Sequence, residues 1–447
     1  MAYYTAQGAA MEVTGSCHHL KIGKIQILID CGMFQGKDEE LNYEEFGFDP
    51  KKIDYLILTH AHLDHIGRVP LLVKKGFNKK IICTKATYEI AKLMLANSAN
   101  ILQEKPKPLY NIGDVEPALK LFGAFLEYNE TMTLKEGIKI GFKNAGHILG
   151  AASVKIKFKE ENIKKSVVFS GDIGQEARII TSKVDFWKKA NTVFIESTYG
   201  ASLHENITLS TKKFKKHILQ TLKNKGTVVI PSFALERTQE ILFLLKQMSQ
   251  KGLLQGIPVY LDSPLAINVT KVFGNYPRLF SKKVQKMIEA GENPFDFQEL
   301  QTTYSKEEST QINKVNKPKI IIAGSGMCEG GRVKYHLVRH LSDSNSLILF
   351  IGYQVQGTLG RKIINHNGEI TIAGQHLKIE AHIEQIDGFS AHADQKGLLK
   401  FIDNLKGLEC VYLIHADEPK LEAFKEKIKE TLHQKVHIVK RHESIYI

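Results

Sequence analysis

The sequence predicts an α/β protein built from two kinds of sheet, and three observations lead there. The first part carries short apolar runs between tight turns, such as His19 to Ile22 and Lys24 to Asp30, which read as the opening of a β-sheet. From about His204 strands and helices alternate instead, the pattern of a parallel sheet with helical crossovers. Within the first part, the apolar run Tyr55-Leu56-Ile57-Leu58 feeds directly into Thr59-His60-Ala61-His62-Leu63-Asp64-His65-Ile66-Gly67, so that a strand delivers a dense set of metal-ligand side chains at its tip.

In chain order, Met11 to Gly15, His19 to Ile22 and Lys24 to Asp30 are expected strands. Asp30 closes an apolar run, where a carboxylate is costly unless hydrogen-bonded, so it is expected to orient a metal-binding histidine from behind. His60 and His62, two apart on an extended segment, point to one side, whereas Asp64 and His65 fall where a helix from Ile66 to Lys74 begins and can serve a second position. Neutral imidazole and carboxylate suit zinc and similar divalent ions. Helical patterns follow at Val69 to Lys75 and Lys85 to Gln103, a proline-punctuated loop at Lys105 to Pro108, and strands at Met132 to Phe142. His147, in Gly146-His147-Ile148-Leu149-Gly150, is flanked by glycines that permit close backbone approach, and is the expected third ligand of the first ion. The strand Ser166 to Ser170 delivers Gly171-Asp172-Ile173-Gly174, placing Asp172 to bridge two ions, and the strand Thr192 to Ile195 ends in Glu196.

Four strand-helix pairs are expected in the second part: Gly226 to Pro231 with Ala234 to Met248, Pro258 to Leu261 with Ile267 to Val272, Lys319 to Ala323 with Gly331 to Leu341, and Leu347 to Ile351 with Leu359 to Ile364. The turns Pro231-Ser232-Phe233 and Gly324 to Gly331 offer backbone amides near helix N-termini, a chemistry that suits anions. Strand and turn texture returns around Phe389-Ser390-Ala391-His392-Ala393-Asp394, and a strand from Cys410 to Ile414 ends in His415 before an amphipathic helix from Lys420 to Leu432.

Composition narrows the class. With 447 residues, 43% hydrophobic and 24% charged, the chain can fill two or three cores and is neither disordered nor fibrous. It has no apolar run of about 18 residues and its start lacks a signal-peptide pattern, so no membrane association and a cytoplasmic location are expected. Five scattered cysteines without C-x-x-C spacing argue against a disulfide framework or a thiolate zinc knuckle. A net charge of +13 favours a polyanionic partner such as nucleic acid.

The ordered set Asp30, His60-x-His62-x-Asp64-His65, His147, Asp172, Glu196, His392 and His415 resembles the β-CASP branch of the metallo-β-lactamase superfamily over nearly the whole chain. Ile195-Glu196-Ser197-Thr198-Tyr199-Gly200, Gly324-Ser325-Gly326-Met327, Gly352-Tyr353-Gln354 and Phe389 to Asp394 are most similar to the RNA-processing nucleases related to the cleavage and polyadenylation specificity factor endonuclease. The resemblance implies an αββα sandwich with an inserted α/β cap domain: residues 1–203 and 387–447 in the sandwich, 204–386 in the cap, and the active site in the cleft between them. It further implies two zinc ions, with manganese as the alternative metal. His60, His62 and His147 would hold one, Asp64, His65 and His415 the other, and Asp172 both. Glu196 and His392 match two further family motifs. A histidine at the position of His415 marks RNA-cleaving members, so the expected substrate is single-stranded RNA. Cutting is expected to be endonucleolytic, with 5′-3′ exonuclease action alongside it, and to leave 5′-phosphate and 3′-hydroxyl ends. His392, kept cationic by Glu196, is the expected proton donor to the leaving alkoxide, with phosphate binding as its other reading. Catalysis on this view engages Asp64, Asp172, Glu196 and His392 together.

Phosphate contacts are expected from Arg237, Arg332 and Arg361, with Ser232, Ser325 and Gly326 in the neighbouring turns. The family usually has Gly and Glu after the last histidine, where this chain has Ala416 and Asp417, so that turn is expected to differ. The pairs His18-His19 and His336 with His340 match no family ligand and are expected to be structural or surface residues. A DNA nuclease or other phosphodiesterase, and a non-catalytic RNA-binding scaffold, are the competing readings. A homodimer or RNA-processing partners complete the expectations.

Overall fold

Two compact units account for the chain, Met1–Leu203 together with His392–Ile447, and His204–Ala391, in a computed structural model that describes residues 1–366 and 368–447. In the first unit two seven-stranded sheets face each other. One has the order Ser444–Tyr446, Ala2–Gly8, Cys17–Ile22, Ile25–Ile29, Tyr55–Ile57, Lys80–Cys83 and Phe122–Phe125. The other has the order Val436–Ile438, Cys410–Ile414, Thr192–Glu196, Ile163–Phe169, Ala152–Glu160, Lys139–Asn144 and Thr131–Thr133.

The period of two along each strand builds the layers. Val167, Phe169 and Phe194 share an apolar core with Tyr4, Ala6, Leu20 and Ile27 of the opposite sheet. Val168, Val193 and Ile195 face the other way and meet Leu398, Phe401 and Ile402 of the helix Gln395–Asp403 and Leu421, Phe424 and Ile428 of the helix Glu418–Leu432. The helices Val69–Lys74, Lys85–Leu102 and Ile112–Lys120 pack together beside the first sheet. The result is the αββα sandwich.

The N-terminus departs from expectation. Ala2–Gly8 is a strand, whereas Met11 to Gly15 is a turn, with left-handed φ values of 67° at Met11 and 74° at Gly15 that no strand sustains. The helix expected from Ile66 starts earlier, at Leu63, and is interrupted at Gly67 and Arg68 before a second segment, Val69–Lys74, that carries Pro70 in its first turn.

In the second unit six strands are parallel throughout, in the order Leu300–Thr302, Val259–Asp262, Lys319–Ala323, Thr227–Pro231, Leu347–Ile351 and His382–Ile386. A parallel sheet is buried on both faces, which is why Val228-Val229-Ile230 and Ile320-Ile321-Ile322 are continuously apolar. The four expected strand-helix pairs are present, with helices at Arg237–Ser249, Pro264–Gly274, Val333–His340 and Leu359–Ile364. Asp262, fully buried at a strand end, accepts bonds from His336 Nε2 at 2.7 Å and from Thr303 Oγ1, Ser309 Oγ and Arg332, each at 2.6 Å. Among the described residues no helix is long and apolar enough to cross a membrane.

Candidate metal centre

Parallel pairing brings together residues that are far apart in sequence. The strands Ile163–Phe169, Thr192–Glu196 and Cys410–Ile414 are parallel neighbours, so Asp172, Glu196 and His415 emerge on the same edge. Ile25–Ile29 and Tyr55–Ile57 are likewise parallel, setting Asp30 beside Thr59 and His60. His147 rides on the turn between Lys139–Asn144 and Ala152–Glu160, and His392 joins through a bridge to Gly174. Close approach of these turns requires glycine: a Cβ on Gly174 would lie 1.9 Å from the Gly146 carbonyl oxygen. Asp30 and His415 themselves hold left-handed backbone, with φ of 62° and 61°. For residues other than glycine such backbone is a local strain that the surrounding fold must sustain.

Two donor sets converge on Asp172, one at each oxygen. Oδ2 lies 3.5 Å from His60 Nε2 and 3.5 Å from His147 Nε2, and His62 Nδ1 lies 3.2 Å and 3.1 Å from those same nitrogens. Oδ1 lies 3.3 Å from His65 Nε2 and 3.7 Å from His415 Nε2, whose own separation is 3.2 Å. Asp64 Oδ2 closes this second set at 3.8 Å from His65 Nε2 and 3.6 Å from His415 Nε2. Four ligands about 2.0–2.2 Å from one ion in a tetrahedron stand roughly 3.3–3.6 Å apart. The observed edges fall around that value, so both sets fit a divalent ion. Asp172 Oδ1 is moreover buried without a hydrogen-bond partner, an unfavourable state for a carboxylate oxygen that a cation would relieve.

Protonation divides the histidines. Burial, reinforced by neighbouring imidazoles, pushes His60 and His147 well below the ordinary histidine value, and burial brings His62 down to about 4, which keeps the three neutral as ligation requires. Burial opposes the charged form of His65 and His415 too, but Asp172, with Asp30 and Asp64 for His65 and Asp64 for His415, outweighs it and raises both. Burial pushes Asp172 and Asp64 up, and the surrounding histidines overcome it and hold both carboxyls down.

Asp30 stands behind the second set. Its Oδ2 receives His65 Nδ1 at 2.7 Å and Thr59 Oγ1 at 2.8 Å, and its Oδ1 receives the Thr59 amide at 2.8 Å, so the carboxylate fixes which His65 nitrogen faces Asp172. Glu196 Oε1 accepts from the Ile173 amide at 2.9 Å and lies 3.1 Å from His392 Nδ1, itself 3.9 Å from Asp172 Oδ2. Burial lowers His392, but Glu196 and then Asp172 outweigh it and raise the ring to about 9.

Three contributors escaped the sequence reading. Thr59 Oγ1 approaches His60 Nδ1 at 3.0 Å, Thr198 Oγ1 lies 3.2 Å from His415 Nδ1, and Arg178 donates to the His147 carbonyl at 2.8 Å. Thr59 and Thr198 adjoin the motif residues, and that adjacency was the available signal. His18 is buried between Tyr4 Oη at 2.8 Å and Ser16 Oγ at 3.0 Å, and His19 meets Gln26. His340 is buried as well. Asp417, in the divergent turn, pairs with Lys37 at 3.7 Å.

The other predicted residues lie in the second unit. Ser232 Oγ lies 3.0 Å from Thr238 Oγ1, and Ser325 Oγ accepts from the Gly330 amide at 3.3 Å. Gly326 accepts from Gln354, and Arg361 Nε donates to the Gln354 carbonyl at 2.8 Å. Arg237 is buried against Glu240, and Arg332 is occupied by Asp262 and the carbonyls of Thr303 and Tyr304. These internal partners give both arginines a structural role in the turns that the sequence reading had not assigned.

Comparison with known proteins agrees with this architecture. Residues 13–213 match the metallo-beta-lactamase superfamily, residues 238–363 a Beta-Casp domain, and residues 376–439 a Zn-dependent metallo-hydrolase RNA specificity domain. The chain is 38% identical over 416 residues to Ribonuclease TTHA0252 of Thermus thermophilus, covering 93% of each protein. It is 31% identical to an RNase J-like protein of Methanocaldococcus jannaschii, covering 95% of each. It is also 34% identical to the transcription termination factor FttA of Methanosarcina mazei, over 93% of this chain and 67% of that one. A crystal structure of a protein of unknown function from Enterococcus faecalis superposes over the full length of both chains with a TM-score of 0.55 at 13% identity, a likeness of fold.

Proposed function

This chain belongs to the β-CASP, metallo-β-lactamase-fold family of RNA nucleases, and from that premise we propose that it is a ribonuclease hydrolysing phosphodiester bonds of single-stranded RNA with two divalent metal ions. The observation that carries the reading is the Asp172 carboxylate, each of whose oxygens faces its own set of three donors at ligand-to-ligand spacing.

His60, His62 and His147 would hold one ion, Asp64, His65 and His415 the other, and Asp172 would join both sets. Zinc suits these nitrogen and carboxylate donors, with manganese as the alternative. When bound, the ions supply Lewis-acid stabilisation of the charge that grows on the phosphoryl oxygens. The protein supplies the rest. Asp30 holds the His65 ring through Nδ1, leaving Nε2 turned inward. Glu196 engages His392 at Nδ1, so the proton that His392 delivers is the one on Nε2. It goes to the O3′ oxygen as the bond from phosphorus to O3′ breaks, while water adds to phosphorus through its oxygen and gives up one proton, which restores the protonated His392 and leaves a 5′-phosphate and a 3′-hydroxyl. Arg361, with Ser232, Ser325 and Gly326 in the neighbouring turns, is the proposed source of phosphate contacts, and the proposed role is RNA processing in the cytoplasm.

The test is a denaturing gel of 5′-labelled single-stranded RNA against the same sequence as DNA, with Asp172→Ala as the control for contaminating nuclease. The expected result is cleavage of RNA alone, lost in the variant, with internal bands for endonucleolytic and terminal nucleotide for exonucleolytic action. Metal-loaded protein that binds RNA and leaves it intact would replace this reading with the scaffold. Cleavage of DNA would replace it with a nuclease of broader substrate.

A further inference from the structure

The second unit carries aromatic rings that stand partly exposed beyond the ends of its buried sheet. Phe233, Tyr304 and Tyr353 are 44%, 43% and 46% exposed. Each stands two residues beyond the carboxyl end of a parallel strand: Thr227–Pro231, Leu300–Thr302 and Leu347–Ile351 respectively. In parallel sheets that edge is where ligands bind, above all where connections leave neighbouring strands in opposite directions. Such a point lies between Thr227–Pro231, whose chain continues toward Val259–Asp262, and Lys319–Ala323, whose chain continues to Leu347–Ile351 on the other side.

The rings are built in. A Cβ on Gly326 would lie 2.6 Å from Phe233 Cδ2, so the glycine lets this ring lie against the turn. The Gly326 carbonyl in turn accepts from Gln354 Nε2 at 3.1 Å, and Gln354, buried, is chain neighbour to Tyr353. Pairing of Val229 with Ile348 sets Thr227–Pro231 beside Leu347–Ile351 in a register that, continued, brings Phe233 level with Gly352 and Tyr353. Each tyrosine has a cation at its ring: the Arg361 guanidinium 4.8 Å from the Tyr353 centroid and the Lys271 ammonium 5.2 Å from that of Tyr304. Partly exposed rings, two of them with a cation over the ring, match a polyanion that carries planar groups.

Resting on the ribonuclease reading, we propose that this edge is a stacking platform for single-stranded RNA, taking unpaired bases on Phe233 and Tyr353 and, farther along, on Tyr304, with Arg361 and Lys271 meeting the intervening phosphates. Stacking tolerates every base, so the platform provides grip and register without sequence preference.

The test measures binding of a fluorescently labelled, unstructured RNA to the full chain carrying Asp172→Asn, so that bound RNA stays intact. Alongside the parent, it uses Phe233→Leu with Tyr353→Leu, which keeps apolar bulk without a π face, and Phe233→Trp with Tyr353→Trp. The leucine pair is expected to weaken binding about tenfold or more, and the tryptophan pair to retain it. An abasic oligomer of the same length is expected to bind the parent as weakly as RNA binds the leucine pair, and this arm stands even where a variant does not fold. Equal affinity of the parent for RNA and abasic oligomer, or unchanged affinity in a folded leucine pair, would overturn the platform. In the active background, the leucine pair should raise KM and leave kcat. Absence of RNA cleavage by the wild-type chain, with stacking-dependent binding intact, would overturn the ribonuclease reading and leave the platform standing.

Discussion

Replacing Asp30 with asparagine tests how far the second donor set depends on what lies behind it. The native carboxylate is buried, 1% exposed, and accepts three bonds at 2.7–2.8 Å, from His65 Nδ1, Thr59 Oγ1 and the Thr59 amide. Asparagine fits the same space but has one acceptor oxygen. With that oxygen kept on the Thr59 amide, the NH2 group faces His65 Nδ1 and donates to it, which moves the ring proton to Nε2. That is the nitrogen turned toward Asp172 and His415. Loss of such an orienting partner typically costs 10- to 100-fold in metal affinity, or about 1.4–2.8 kcal/mol. The cost should fall mainly on one site, because His65 bonds Asp30 directly, whereas His60 is linked to it only through the Thr59 hydroxyl. The assay is competition of metal-free protein against a chromophoric chelator, resolving two successive zinc affinities. Asp30→Asn should weaken one by 10- to 100-fold and leave the other within about threefold. Two unchanged affinities, or equal loss of both in a protein that still melts cooperatively, would refute the argument.

Three further outcomes follow from single contacts. Asp262→Asn leaves Arg332 and His336 facing a neutral group in a buried network, and should destabilise the second unit by about 3–5 kcal/mol in urea unfolding. A loss under 1 kcal/mol would mean that the network is dispensable. In metal-free protein, His392 is raised to about 9, so its pair with Glu196 stabilises the fold fully below the ordinary histidine pKa of about 6.5 and loses that effect as pH rises through 9. The urea midpoints of wild type and Glu196→Gln should therefore differ more at pH 6 than at pH 10, where only the loss of an acceptor for the Ile173 or Thr198 amide remains. A difference independent of pH would place the effect elsewhere. Gly174→Ala drives a Cβ into the Gly146 carbonyl and should cost about 1–3 kcal/mol with weakened binding at the site holding His147, read by thermal melting and the chelator assay.

Legibility in the sequence followed the range of the interactions. His60, His62, Asp64 and His65 were legible as a dense run of ligand-type side chains, and they fall between the end of the strand Tyr55–Ile57 and the helix that starts at Leu63. Asp172, Glu196 and His415 were legible as polar residues at the ends of apolar strands, yet only the parallel pairing of three distant strands brings them together. The strand Ala2–Gly8 was missed because Ala2, Ala6 and Gly8 offer little apolar signal, and its place is set by antiparallel partners on both sides, Cys17–Ile22 and Ser444–Tyr446. Thr59 and Thr198 were silent because threonine is common at strand ends, and their hydroxyls matter only through the carboxylate and imidazole they reach. The bond from Arg332 to Asp262 spans 70 residues, and no local pattern reveals such a partner.

The central claim is that one carboxylate divides two metal sites, and an anomalous difference map recorded at the zinc absorption edge from crystals grown with zinc tests it most directly. The account predicts two peaks, one beside Asp172 Oδ2 among His60, His62 and His147 and one beside Oδ1 among Asp64, His65 and His415. A single peak, or peaks that leave either Asp172 oxygen without an ion, would contradict it.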